Sequence, residues 1–249
     1  MQVNRVFFLF FLVFGLWQAA YFLIYVYSPS GEVQRFIELT IQITYLCISL
    51  LLIKRETVVL RQYGLCWPQS FGEYTAIGIL FAFIYVIMIL FIPGSFAGFE
   101  VFPRTLSSSI PLEFLSALFT AIASESVFRG YMYGKLKEVF GPFPALCASS
   151  VMFSLHRVPL PFFFPYNSSF ENVISLFALG IFLGYFLQRT RNLVCPITTY
   201  VVILLLYRLT PLRAAVTEQT KLFSETVAAI VLIVLLRHLI AKNRNVFVQ

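Results

Sequence analysis

Two charges interrupt an apolar stretch near the middle of the chain, in the run Thr120-Ala121-Ile122-Ala123-Ser124-Glu125-Ser126-Val127-Phe128-Arg129-Gly130-Tyr131. Glu125 and Arg129 are four residues apart, so on a helix they share a face one turn apart, with the carboxylate on the favourable N-terminal side. A carboxylate so placed has two readings. It is a general base that activates water, or half of an ion pair that lets both charges tolerate an apolar interior. The chain holds only two histidines. His238 follows Arg237 near the end of the last apolar run and reads as interfacial. His156 closes the run Ser149-Ser150-Val151-Met152-Phe153-Ser154-Leu155, where it is a helix-end hydrogen-bonding group or a catalytic partner. A minor reading pairs Ser124 with His156 as nucleophile and base. The cysteines, Cys47, Cys66, Cys147 and Cys195, are scattered, with no CxxC pair and no histidine nearby. That spacing argues against a metal centre and for small buried side chains.

The elements that position these groups follow from composition. Hydrophobic residues make up 59% of the chain and charged residues 12%, where a soluble domain carries roughly 25% charged residues. With a mean hydropathy of +0.86, the natural solvent is lipid. Apolar runs between charges predict about eight membrane-spanning helices of roughly 20 residues. They lie at about Val6–Tyr27, Val33–Ile53, Tyr74–Ile92, Pro111–Tyr133, Pro142–His156, Phe170–Leu187, Leu193–Tyr207 and Leu222–Ile240. The first run is too long for an ordinary signal-peptide core and reads as a retained helix. Pro93-Gly94 is expected to stop the third helix, and residues 95–110 to form a loop. The segment Pro159-Leu160-Pro161-Phe162-Phe163-Phe164-Pro165 excludes a regular helix and is expected at the interface or re-entering against protein. Asn167-Ser168-Ser169 fits an N-glycosylation sequon.

The net charge of +7 does not form a basic patch, so nucleic acid is not an expected partner. The basic residues flank the apolar runs. With the N-terminus in the cytoplasm, eleven fall on that side: Arg5, Lys54, Arg55, Arg61, Lys135, Lys137, Arg189, Arg191, Arg237, Lys242 and Arg244. Six fall opposite: Arg35, Arg104, Arg157, Arg208, Arg213 and Lys221. The positive-inside rule then puts both termini in the cytoplasm. The expected fold is an all-α polytopic membrane bundle forming one integral membrane domain over 1–249. Residues 1–93 supply its N-terminal helices and 222–241 its C-terminal helix.

The run Ser124-Glu125-Ser126-Val127-Phe128-Arg129-Gly130 resembles the E-E-x-x-F-R-G motif of the CPBP family. These are intramembrane endopeptidases related to CAAX prenyl proteases and to bacteriocin-processing and immunity proteins. Met152–His156 approximates the family's F-x-x-x-H motif, with Phe153 one place off. Gly180 and Gly184, followed by Arg189-Thr190-Arg191-Asn192-Leu193-Val194-Cys195-Pro196-Ile197, are similar to its G-x-x-x-G-x-x-x-x-R-T-x-S-L-x-x-P-I run. Tyr63-Gly64-Leu65 resembles its short L-G-L element. The resemblance implies a CPBP-like core over 110–208, formed by the fourth to seventh helices.

It also implies a mechanism. The first glutamate of the motif activates water with a histidine, and a second histidine and an asparagine hold the oxyanion. Here the first glutamate position is Ser124, and the H-x-x-x-N positions fall on Tyr200 and Leu204. The candidate catalytic set is therefore Glu125, His156, Arg129 and Tyr200. The family's Glu/His/His set is incomplete, so neither zinc nor another cofactor is expected. The expected partners are membrane lipid and a hydrophobic or prenylated peptide or transmembrane segment. The expectation is an endopeptidase-like protein with weakened or lost catalysis. The alternative is a non-catalytic binding or scaffold protein on the same fold. A transporter is a minor reading, because no repeated halves are present.

Overall fold

The computed structural model describes residues 2–27, 30–55, 71–97, 99–101, 110–158, 170–209, 212–214 and 218–242. The Tyr63-Gly64-Leu65 element, Cys66, the Pro- and Phe-rich segment and the sequon lie outside them. Within these residues eight helical rods form a bundle. In lipid, backbone N–H and C=O groups have no water to bond, and a helix satisfies them internally. The rods are α1 (Gln2–Tyr27), α2 (Gly31–Arg55), α3 (Phe71–Ala97), a composite rod over 110–140, α6 (Pro142–Arg157), α7 (Phe170–Thr190), α8 (Val194–Leu209) and α9 (Glu218–Lys242). The composite rod is α4 (Ile110–Ser124), a π-helical segment (Glu125–Met132) and α5 (Tyr133–Phe140). It is continuous, because Ser124 and Tyr133 at the junctions both keep right-handed helical dihedrals.

Among the described residues, four stretches are long and apolar enough to cross a membrane: Val3–Ile24, Phe71–Ile92, Ile110–Phe140 and Val173–Thr190. Val194–Tyr207 is a shorter apolar helix. The molecule is an integral membrane protein with an all-α bundle.

Two expectations are corrected. The third helix does not stop at Pro93-Gly94 but continues to Ala97. A proline costs the helix one N–H and crowds the carbonyl a turn before it, and near the helix end that cost does not stop the remaining residues from staying helical to Ala97. The stretch read as a loop holds a strand, β1 (Phe99–Val101). It pairs antiparallel with β2 (Leu212–Ala214), Glu100 opposite Arg213. Segments of three residues carry no legible alternation.

The turns have local causes. Gly141 takes φ +82° between α5 and α6, a conformation glycine adopts without a Cβ penalty, and Pro142 follows at the start of α6. Between α7 and α8, Thr190 Oγ1 donates to Phe186 O at 2.9 Å or to Asn192 O at 3.1 Å. Asn192 Oδ1 then accepts the Val194 N–H at 2.7 Å and caps α8. The three described cysteines are free. Cys195 is buried and bonds Tyr74 O at 3.3 Å, whereas Cys47 is exposed on α2. The expectation of burial therefore fails for Cys47.

Small residues set the helix spacings. At Gly78 of α3 an added Cβ would come 2.9 Å from the Cys195 carbonyl oxygen on α8. At Gly180 it would lie 3.0 Å from Ser150 Cβ and 3.1 Å from an Arg129 nitrogen, and at Gly184 it would overlap Leu146 Cδ1. Such close approach is what small residues allow between membrane helices. A polar clasp also joins α2 to α4, where Arg35 Nε meets the buried Glu113 at 2.9 Å and Nη1 meets Glu38 at 2.7 Å. Arg35 thus faces carboxylates, a role that its reading as a flanking basic residue did not include.

Candidate functional site

The π segment carries the two intramembrane charges. Its i→i+5 bonding widens the turn, a distortion frequent at functional sites, and all eight of its residues are buried. Arg129 Nη1 lies 3.5 Å from Glu125 Oε1, so the predicted pair forms. The guanidinium also sits 4.0 Å above the Phe153 ring of α6, a cation–π contact that is stronger when desolvated. Glu125 and His156 are 0% exposed, Arg129 1% and Tyr200 3%.

His156 stands in an aromatic cage. Its ring centroid lies 5.2 Å from Phe128, 5.3 Å from Trp17 and 5.7 Å from Tyr45. Tyr200 of α8 meets Phe153 edge-on at 5.7 Å. Ser124, at the position of the motif's first glutamate, is held between two groups. Its Oγ is 3.4 Å from the Tyr45 hydroxyl and 3.4 Å from Arg157 Nη2. Ser124 and His156 make no hydrogen bond to each other among the described residues, so the nucleophile–base pairing is not assembled.

Arg157 takes a role beyond the flanking one given to it by sequence. Counted there as a flanking charge, it lies over Trp17 at 5.0 Å and over Tyr200 at 5.8 Å. Two carbonyls at the C-terminal end of α6 are taken by α1. Gln18 Nε2 donates to Val158 O at 2.9 Å and the Tyr21 hydroxyl to Arg157 O at 3.1 Å. Helix ends leave such acceptors unsatisfied, and side chains from another helix meet the need here. Trp17, Gln18, Tyr21 and Tyr45 carry no motif. Their only signal is that polar and aromatic groups interrupt apolar runs.

The structure thus brings together Glu125, Arg129, His156, Tyr200, Ser124 and Arg157. Leu204 is half-buried on α8 and has no polar atom to offer. Among the described residues no three His, Cys, Asp or Glu side chains converge. The set does not fit a zinc ion, which takes at least three protein ligands.

A search for similar curated proteins finds no match. Residues 106–206 match the family model described as type II CAAX prenyl endopeptidase Rce1-like. That range contains the π segment, α6, α7 and most of α8, hence every motif that carried the resemblance except the short connector. Over this segment, the chain is similar to the type II CAAX prenyl endopeptidases of the Rce1-like family.

Proposed function

We propose that this chain uses a CAAX-protease-like fold to hold a hydrophobic or prenylated segment in the membrane, with peptide hydrolysis weakened or lost. The observation that carries the reading is the state of its one site carboxylate. Glu125 faces Arg129 at 3.5 Å, and neither its oxygens nor the His156 nitrogens make a hydrogen bond among the described residues, so the carboxylate and the histidine are not joined as a base and its partner. The position beside it, where the family motif has its first glutamate, is a serine engaged by Tyr45 and Arg157. The family's second histidine and asparagine are replaced by Tyr200 and Leu204. Losing one oxyanion donor typically costs about 10²–10³ in rate, and losing the general base roughly 10²–10⁴. Groups that act as a unit do not multiply, but either loss alone leaves a slow enzyme.

Residues 110–208 then form the functional core, with Glu125, His156, Arg129 and Tyr200 as its polar set. All eight rods cross the membrane and both termini lie in the cytoplasm, a reading that the distribution of Lys and Arg supports.

The test is to reconstitute the protein in lipid and offer hydrophobic and prenylated peptides. The expected result is binding without turnover above the rate of a Glu125→Gln, His156→Ala control. Specific cleavage abolished by those two substitutions would overturn the reading and make Glu125 the base. Cleavage that survives them but is lost in Ser124→Ala would assign the chemistry to the serine.

A further inference from the structure

The polar groups around the end of α6 are unbalanced. Two guanidinium groups, Arg129 and Arg157, lie within electrostatic range of one carboxylate, Glu125, and that carboxylate is paired with Arg129. Glu38 is bonded to Arg35 at 2.7 Å, a guanidinium that it shares with Glu113, and makes no ion pair with Arg157. Beside Arg157 stand the hydroxyls of Ser124 and Tyr45. The buried Arg157 Nε, Trp17 Nε1 and both His156 nitrogens have no hydrogen-bond partner among the described residues. Arg157 and Trp17 thus hold unmatched donors, and no carboxylate lies within ion-pair distance of Arg157 among the described residues, since Glu125, whose oxygens also lack hydrogen bonds, faces Arg129 and Glu38 and Glu113 both face Arg35. Buried donors without acceptors are costly, and a low dielectric raises that cost.

A neutral amide or ester supplies an acceptor but no charge. A carboxylate or phosphate supplies both, and matches the planar fork of a guanidinium. We infer that Arg157, with the Ser124 and Tyr45 hydroxyls, forms an anion clamp for the carboxylate or phosphate of a membrane-embedded ligand, whose apolar part contacts the surrounding aromatic side chains. This rests on the reading that the site binds more than it cleaves. It adds the charge of the ligand and the residue that recognises it. The serine at the glutamate position is then a gain as well as a loss, since a carboxylate there would neutralise Arg157 and repel an anion.

The experiment uses the full chain in phosphate-free maltoside micelles with two pairs of fluorescent probes. One pair is a farnesylated tetrapeptide with a free C-terminal carboxylate and the same peptide as its amide. The other is dioleoyl phosphatidic acid and dioleoylglycerol. At least one acid is expected to bind roughly 10- to 100-fold more tightly than its neutral analogue, the scale of one or two charge-assisted hydrogen bonds. Arg157→Gln should abolish that preference, and Arg157→Lys should keep part of it. Should Arg157→Gln fail to fold, a Ser124→Ala, Tyr45→Phe double variant carries the test and should shrink the preference several-fold. Equal binding of acid and neutral probes overturns the clamp, as does a preference that survives Arg157→Gln in folded protein. A preference confined to the peptide identifies a chain terminus as the source of the anion, and one confined to phosphatidic acid identifies a lipid headgroup; both uphold the clamp. Mass spectrometry of the same peptide separates the two claims. Cleavage would refute weakened hydrolysis and leave the anion preference standing.

Discussion

A carboxylate and a guanidinium with almost no exposure, 3.5 Å apart, hold each other in place. Removing one partner leaves an uncompensated charge, and Arg129→Ala should cost about 3–5 kcal/mol. The Glu125→Gln, Arg129→Met double variant should cost clearly less, because neither charge is stranded. Equilibrium unfolding in mixed micelles compares them, and equal losses would contradict the pairing. The residues that depart from the family motif allow a sharper experiment. Ser124→Glu, Tyr200→His and Leu204→Asn together restore a base and two donors. The triple variant should cleave a prenylated peptide at least ~10²-fold faster than the parent; a product assay showing no gain would mean that the lost groups are not what limits hydrolysis. The Glu125–Arg129 pair was legible because charge inside an apolar run is rare and four-residue spacing is a helix signal. Arg157 was not legible. At the end of an apolar run a basic residue looks the same whether it marks topology or turns back onto Trp17 and Ser124.

The helices were legible in number and order from their apolar runs, but not in their ends: the third rod runs to Ala97 past Pro93-Gly94 and the fourth to Phe140, seven residues beyond Tyr133. The π geometry of Glu125–Met132 was not legible either, since apolar periodicity is hidden where every face of a segment is buried. The contribution of α1 and α2 was hidden for another reason. Trp17, Gln18 and Tyr45 reach the site across more than 75 residues of chain, as the separations of 79 for Tyr45–Ser124 and 140 for Gln18–Val158 show, and local pattern says nothing about such contacts. Helix–helix spacing yields a graded prediction. Gly78→Ala drives a Cβ against the α8 backbone at Cys195, which cannot yield, and should cost about 1–3 kcal/mol. Gly184→Ala meets only the tip of Leu146, a flexible side chain, and should cost less. Thermal unfolding in detergent gives the order, and the reverse order would show that the α3–α8 contact is not the tighter one.

For the molecule as a whole, the eight-crossing reading makes Asn167 and Gln249 face opposite sides. In a cysteine-free background, Asn167→Cys and Gln249→Cys should label with a membrane-impermeant maleimide from opposite faces of the vesicle; labelling from one face would remove the topology. The odd lengths of two helices bear on the surrounding lipid. The helices that end with His156 and Arg157 and that carry Tyr200 are each 16 residues long. At 1.5 Å per residue each spans about 24 Å, short of a hydrocarbon layer of about 30 Å. Bilayers meet a short helix by thinning around it, and on the eight-crossing reading that thinning would centre on the site. The protein should therefore behave as a sensor of acyl-chain length. Its melting temperature and its ligand affinity should both rise in nanodiscs of 14-carbon phosphatidylcholine relative to 20-carbon, and a flat response across chain lengths would mean that the longer rods alone set its fit to the membrane.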